Sequence, residues 1–241
     1  MIILKNKIKK LLWGIGIDIK RATPFSNASY QLLKGLEKFE IDLVLDIGAN
    51  VGQFSYELRS IGFQGRMVCF EPLEREHEKL VRLATSDHLW DVHPKTAIGD
   101  IDGSIDINVS ANSVSSSILP MLETHLAAEK GSKYISKVSV PISRLDSIAN
   151  IYTSSSKNFF IKIDTQGFEW EVLDGSSETL KDAKGVLCEL SLVELYKGQH
   201  LWLDIKGRLE SMGFVLWALQ TGFVDPETGK TLQMDAIFFR P

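Results

Sequence analysis

Apolar residues in this chain fall into short runs separated by segments of helical period. Residues 41–47 form an apolar run that ends in a glycine-rich turn. Phe54, Leu58 and Ile61 then recur at helical spacing until Gly62. A second strand is expected over 66–70, a helix over 73–84, and a third strand over 90–98. Further apolar runs at 159–163, 186–190, 215–219 and 236–239 predict four more strands. Strands alternating with helices of this length imply βαβ units and a mainly parallel sheet buried on both faces. The last pair differs. Asp225-Pro226-Glu227-Thr228-Gly229 is strong turn chemistry, and the connection is too short for a crossover helix, so an antiparallel hairpin is expected there.

Residues 101–158 interrupt the alternation. Ile105, Ile107 and Val109 alternate as a strand, a serine-rich turn follows, and a helix is expected over 120–130 before Gly131. Val138, Val140 and Ile142 alternate again. This stretch reads as an insertion over one end of the sheet, within one domain covering residues 36–241. A basic amphipathic segment, 1–35, precedes it. Lys5, Lys7, Lys9, Lys10, Lys20 and Arg21 face one acid, Asp18, around the apolar stretch Leu11-Leu12-Trp13-Gly14-Ile15. Two uses compete for that segment: a solvated helix packing its apolar side on the domain, or weak contact with an anionic membrane surface.

Composition narrows the class. The chain has 241 residues, a net charge of −4 and two cysteines. Mild acidity argues against phosphate-driven nucleic-acid binding. Two cysteines make neither a disulfide framework nor a structural zinc site, and no apolar run approaches the ~20 residues of a membrane span. A cytoplasmic chain is expected, with a membrane-peripheral position as the alternative. Cys69 and Cys188 fall on strands about three spacings apart, roughly 14 Å, so both are expected to be buried free thiols.

Three motifs carry the chemistry. The first, Asp46-Ile47-Gly48-Ala49-Asn50-Val51-Gly52, lies between a strand and a helix, where open α/β sheets bind ligands. Gly48 permits a tight turn, Asn50 is a good helix cap, and Gly52 permits close helix–strand packing. The turn lacks the Gly-x-Gly-x-x-Gly spacing of a pyrophosphate cradle, and an acid opens it. A carboxylate there repels pyrophosphate and suits a sulfonium and ammonium ligand, which points to S-adenosylmethionine. The second motif, Phe70-Glu71-Pro72, ends the next strand and suits the two ribose hydroxyls. Ala97, at the end of the third strand, is placed to flank an adenine. The third motif is Lys162-Ile-Asp164-Thr-Gln166-Gly-Phe-Glu169. Lys162 and Asp164 share one side of a strand, and a lysine in an apolar strand needs a partner, either Asp164 or Glu189.

Together with Gln53, Phe54 and Glu189-Leu-Ser191…Leu195-Tyr196, these motifs resemble the FkbM family of S-adenosylmethionine-dependent methyltransferases over about residues 40–240. The resemblance implies a three-layer class I methyltransferase fold, with a seven-stranded Rossmann-like sheet whose last strand is antiparallel. It also implies O-methylation of hydroxyls on saccharides, glycolipids or related natural products. Carried over by motif, Asp46, Gly48, Ala49, Asn50, Gly52, Gln53 and Phe54 line the methionine half of the cofactor. Glu71 and Pro72 take the ribose, and Asp164 lies beside the transferred methyl. Methyl transfer is an in-line displacement, so Asp164 is the expected base or orienter, supported by Lys162 and Glu189. Gln166 and Glu169 are expected to face the acceptor, with Asn112, Ser116 and His125 from the insertion. Tyr196 is expected either to stack on a sugar ring or to be a half-buried core residue, and a solvent-facing role competes for His125. No Cys/His cluster has metal-ligand spacing, so no metal is assigned. Two alternatives remain: a nucleotide-sugar or NAD-dependent oxidoreductase, and a non-catalytic S-adenosylmethionine-binding scaffold.

Overall fold

The computed structural model describes residues 10–19 and 21–241. Seven strands form the main sheet: β1 (Leu43–Ile47), β2 (Arg66–Phe70), β3 (Trp90–Val92), β7 (Phe159–Ile163), β8 (Gly185–Ser191), β9 (Val215–Thr221) and β10 (Gln233–Phe239). Their spatial order is β3-β2-β1-β7-β8-β10-β9. The pairs among β3, β2, β1, β7 and β8 are parallel, whereas β10 runs antiparallel to both β8 and β9. The reversed strand is therefore the last in sequence, inserted one place from the sheet edge. The expected hairpin forms, as do the Rossmann-like sheet and the antiparallel final strand.

Strand alternation sends side chains to two apolar layers. Leu45, Ile47, Ile161, Ile163 and Phe238 pack with Leu173 of α7 (Glu169–Asp174) and Leu209 of α9 (Trp202–Ser211). On the other face Val44, Phe160, Leu187 and Ile237 pack with Leu33 and Leu36 of α1 (Ala28–Lys38), Leu58 of α2 (Gln53–Ser60) and Leu80 of α3 (Glu74–Ala84). Burial on both sides is why these strands read as unbroken apolar runs. Asn27 caps α1, its Oδ1 accepting from the Tyr30 amide at 2.8 Å. Gly35 lets that helix sit close to the sheet, since a Cβ there would lie 2.7 Å from the Phe239 ring.

The expected third strand over 90–98 divides. Past Val92 the chain leaves the main sheet at His93-Pro94, and β4 (Ala97–Ile98) pairs with β6 (Tyr134–Ser143), which pairs antiparallel with β5 (Gly103–Ser110). Pro94 removes a ladder donor, which explains the break. The expected 120–130 helix is shorter, α4 (Glu123–Ala128) followed by a 3₁₀ turn at Lys130–Ser132. Short helices α5 (Leu145–Ile148) and α6 (Asn150–Thr153) lead into β7, and α8 (Thr179–Asp182) into β8. Ile107, Val140 and Ile142 of the small sheet pack on Leu73 and Phe168, which follow the ends of β2 and β7. The insertion therefore stands over the carboxyl end of the main sheet. Cys69 and Cys188 are free and buried.

Part of the amino-terminal segment, residues 1–9 and 20, lies outside the described residues. The described part does not pack its apolar side on the domain. Leu11, Trp13, Ile15, Ile17 and Ile19 are 47–73% exposed and Phe25 is fully exposed. No described helix is long and apolar enough to cross a membrane.

Candidate active site

A cavity of about 630 Å³ opens above the carboxyl ends of β1, β2, β7 and β8 and the amino end of the antiparallel β10, between α1 and the insertion. Its wall begins at the turn after β1. Gly48 has φ +75°, and a Cβ there would stand 1.9 Å from the Asp164 carbonyl oxygen, so only glycine lets the β1 and β7 turns meet. The Gly48 and Ala49 amides both donate to the Phe70 carbonyl at 3.1 Å, fixing the turn against β2. Asn50 does not cap α2. It sits in the left-handed region at φ 48°, and Gly52 takes the cap position at φ 90°.

Glu71 is 4% exposed and faces the cavity. Its Oε2 accepts from the Asn50 amide and its Oε1 from the Leu73 amide, each at 2.8 Å. One lone pair on each oxygen stays free for a ligand. Burial pushes its carboxyl up to about 7, against the pull of those two amides. Gln53, Phe54, Pro72 and Ala97 line the same region. Asn112 and Ser116 line it from the insertion, where the Asn50 Nδ2 donates to Ser113 Oγ at 3.4 Å.

Asp46 and Lys162 stand directly opposite one another on β1 and β7. Lys162, 5% exposed, holds Asp46 Oδ1 at 3.2 Å, Asp164 Oδ2 at 3.4 Å and the Gly48 carbonyl at 3.1 Å. Burial alone would depress its ammonium, but the Asp46 and Asp164 charges outweigh that and raise its pKa. Of the two partners expected for Lys162, Asp164 pairs with it and Glu189 makes no direct ion pair; the second partner is Asp46. Asp46 is fully buried, accepts from Ser55 Oγ at 2.8 Å, and does not line the cavity. Its expected contact with the cofactor is corrected accordingly: Lys162 neutralises it from inside the sheet.

Asp164 remains open, with its side chain 34% exposed. Gln166, held at φ 55°, donates through Nε2 to Asp164 Oδ1 and to Glu189 Oε2, both at 2.9 Å. Glu189 Oε2 also accepts from Gln233 Nε2 at 2.7 Å. Burial, with Asp164 and then Glu169 and Asp235 nearby, holds the Glu189 carboxyl well above its ordinary value. The Asp235 carboxyl, opposite Glu189 in the β8–β10 register, accepts no hydrogen bond from any described residue, and burial beside Asp164 pushes it up to about 6. Asp235 in turn stands opposite Gln220 of β9. Since Ile163 stands beside Cys188, the residues that follow them continue one polar row: Asp164, Glu189, Asp235, Gln220. All four line the cavity. The Gln220 Nε2 donates to the Ala28 carbonyl at 2.8 Å, so α1 closes over the far end of the row.

Several expected site residues belong to the frame instead. Gly52 packs toward Leu80 and Trp90, as its packing role required, and does not line the cavity. Glu169 is 3% exposed, and its Oε1 clamps the loop by accepting from the Thr165 and Gly167 amides at 2.9 and 3.1 Å. It cannot reach an acceptor. Tyr196 is fully buried and its hydroxyl donates to Gln166 Oε1 at 2.8 Å, so its ring is not free to stack on a sugar. His125 lines the cavity but is 3% exposed, which overturns a solvent-facing role; its ring packs between Tyr196 and Phe223. Its Nδ1 lies 3.1 Å from Ser132 Oγ, and burial lowers its pKa. Among the described residues no group of three or more His, Cys, Asp or Glu side chains converges to hold a metal ion.

Asp235, Gln233 and Gln220 were not expected from sequence. Their signal is present: Gln233 and Asp235 alternate with Met234 ahead of the apolar run 236–239, placing two polar groups on one face.

The Methyltransferase FkbM domain matches residues 46–216. The chain belongs to the FkbM methyltransferase family. It is an S-adenosylmethionine-dependent methyltransferase, which removes the oxidoreductase alternative. It is also similar to a 2-O-methyltransferase, NoeI, of Sinorhizobium fredii, 27% identical over 213 residues, covering 83% of this chain and 82% of that one. Among solved structures it is similar to magnesium protoporphyrin IX methyltransferase from Synechocystis, with S-adenosylmethionine bound. That match has a TM-score of 0.48 at 13% identity and covers 90% of this chain and 80% of the other. A TehB-like methyltransferase from Corynebacterium glutamicum matches with a TM-score of 0.44 at 10% identity, covering 98% and 96%. The cofactor fits this cavity on two observations: the buried Glu71 at its wall, which keeps a free lone pair on each carboxyl oxygen, and the surplus of carboxylates, which suits a cation.

Proposed function

We propose that this methyltransferase acts on a hydroxyl oxygen of a saccharide or related polyhydroxylated acceptor, including glycolipids. The observation that carries the reading is the polar row Asp164, Glu189, Asp235 and Gln220 along the cavity wall. Neighbouring strands lie about 4.8 Å apart, so the row offers acceptors and an amide at intervals close to the width of a sugar ring over about 14 Å. Three carboxyl groups side by side repel one another, and an apolar substitute would be cheaper for folding. Such a row suits a ligand rich in donors. The Sinorhizobium relative, described as a 2-O-methyltransferase, supports oxygen as the accepting atom.

In this reading Gly48, Ala49, Asn50, Gln53 and Phe54 hold the methionine half of the cofactor. Glu71 takes the ribose hydroxyls with the lone pairs that Asn50 and Leu73 leave free. S-adenosylmethionine, when bound, supplies a methyl group made electrophilic by its sulfonium. Asp164 would accept the proton of the attacking hydroxyl as its oxygen takes the methyl group, the sulfur–methyl bond breaking and S-adenosylhomocysteine leaving as a neutral thioether. Lys162 steadies Asp164 from behind, and Gln166 orients it from the side. Glu189, held beside Asp164 by the shared Gln166 amide, faces the acceptor next to it, while Asp235 and Gln220 bind the hydroxyls beyond.

The test is methyl transfer from labelled S-adenosylmethionine to a panel of methyl glycosides and short oligosaccharides. The reading expects labelled methyl ethers on at least one of them. Labelling confined to amines or carboxylates would overturn it.

A further inference from the structure

The segment before α1 is the largest feature that the catalytic reading leaves unused. From residue 10 to residue 28, every described position except Leu12 and Thr23 is exposed. Leu11, Ile15, Ile17 and Ile19 stand 47–73% exposed, and Phe25 is fully so. Soluble chains rarely leave that many large apolar side chains together in water without a partner surface. The sequence up to Arg21 holds Lys5, Lys7, Lys9, Lys10, Lys20 and Arg21 against Asp18 as its one acid, in a chain of net charge −4. Clustered bases amid exposed Ile and Leu fit one environment best, the anionic surface of a bilayer. Nucleic acid would meet the bases but would not use four exposed aliphatic side chains at 11, 15, 17 and 19 and the ring at 25 with equal profit, and an acidic protein patch would not use that apolar set at the depth a headgroup layer offers.

We propose that the segment before α1, described over residues 10–19 and 21–27, docks the enzyme on anionic membranes. The segment runs directly into α1, whose Ala28, Ser29 and Leu32 form part of the cavity wall. Docking through this segment therefore turns the α1 side of the cavity toward the headgroup layer, where an acceptor hydroxyl carried by a membrane glycolipid would lie. The binding stands on the segment alone; the orientation rests on the acceptor reading of the polar row.

Flotation of the full chain on vesicles separates the outcomes. Vesicles of phosphatidylcholine with 30% phosphatidylglycerol should carry the protein, pure phosphatidylcholine should not, and 0.5 M salt should release most of it. Each basic residue near the surface is worth about fivefold in affinity, so Lys10→Gln/Arg21→Gln should weaken binding about 25-fold. Ile15→Ser/Ile17→Ser/Ile19→Ser should abolish it. Because these side chains touch little of the domain, both variants should melt at the wild-type temperature and bind S-adenosylhomocysteine unchanged. Equal recovery on both vesicle types, or wild-type recovery of either variant, would overturn the proposal. So would a lowered melting temperature in the Ile variant, which would mean that the segment packs on the protein. Retention on single-stranded nucleic acid with empty anionic vesicles would also overturn it. Failure of glycoside methylation with intact flotation would remove the acceptor reading and leave the docking.

Discussion

Replacing Asp235 by Asn is expected to make the protein more stable and less active. The carboxyl faces the cavity, accepts no hydrogen bond from any described residue and lies opposite Glu189. Burial first, then Asp164, pushes its pKa from 3.8 to about 6. A raised carboxyl favours its protonated form in the folded state, so ionising it costs stability. That cost is absent below the unfolded value, grows as pH rises from about 4, and is complete above about 6. The shift is about two pH units, and at 1.36 kcal/mol per unit it corresponds to about 3 kcal/mol, an upper figure because some solvent reaches the group. Asn keeps the shape and drops the charge. Urea unfolding should find Asp235→Asn about 1–3 kcal/mol more stable than wild type at pH 7.5, with the gap falling to about a third of that at pH 4.5. Methyl transfer to the best glycoside should show a KM raised about tenfold or more, while S-adenosylhomocysteine affinity stays within twofold. A variant no more stable at pH 7.5, or a gap that ignores pH, would refute the electrostatic reasoning. An unchanged acceptor KM would refute the role.

Asp164→Asn should lower turnover by about 10²–10⁴ with cofactor affinity nearly intact, measured by calorimetry beside single-turnover rates; full activity would exclude Asp164 as base. Gly48→Ala should lose cofactor binding and destabilise the fold by several kcal/mol, because a methyl would overlap the Asp164 carbonyl at a positive φ. A soluble variant that binds S-adenosylhomocysteine normally would contradict that packing. Lys162→Met strands the buried Asp46 carboxylate and should cost about 3–5 kcal/mol in urea unfolding. Adding Asp46→Asn should restore much of it, and two costs that simply add would mean that the pair is not coupled.

Much of this architecture is legible in the sequence because two-sided burial writes a strand as an apolar run. The strands β1, β2, β7 and β8 and the closing hairpin follow from that pattern. Pro94 marks where the third run had to break, yet a single proline beside His93 is a weak signal against continuous β-rich residues. The three motifs locate the cavity wall, since glycine turns and strand-end acids report directly on backbone geometry. Which way each acid points is another matter. Asp46 and Glu71 both end strands, but the β1–β7 register puts Lys162 beside the first, while two amides hold the second at the cavity edge. Register is a long-range property that no local window contains. The same limit hides Asp235, which becomes part of the site only because β10 inserts antiparallel beside β8. His125 and Tyr196 read as accessible from their polar tips, whereas each tip is satisfied inside the protein, by Ser132 and Gln166.

The account rests on oxygen as the atom that receives the methyl group. Incubation with carbon-13 methyl-labelled S-adenosylmethionine and the glycoside panel, followed by carbon NMR of the products, reads that atom directly. The expected result is a methoxyl resonance on a sugar carbon, resistant to alkali and lost in Asp164→Asn. An N-methyl resonance, or a methyl ester that alkali removes, would contradict it.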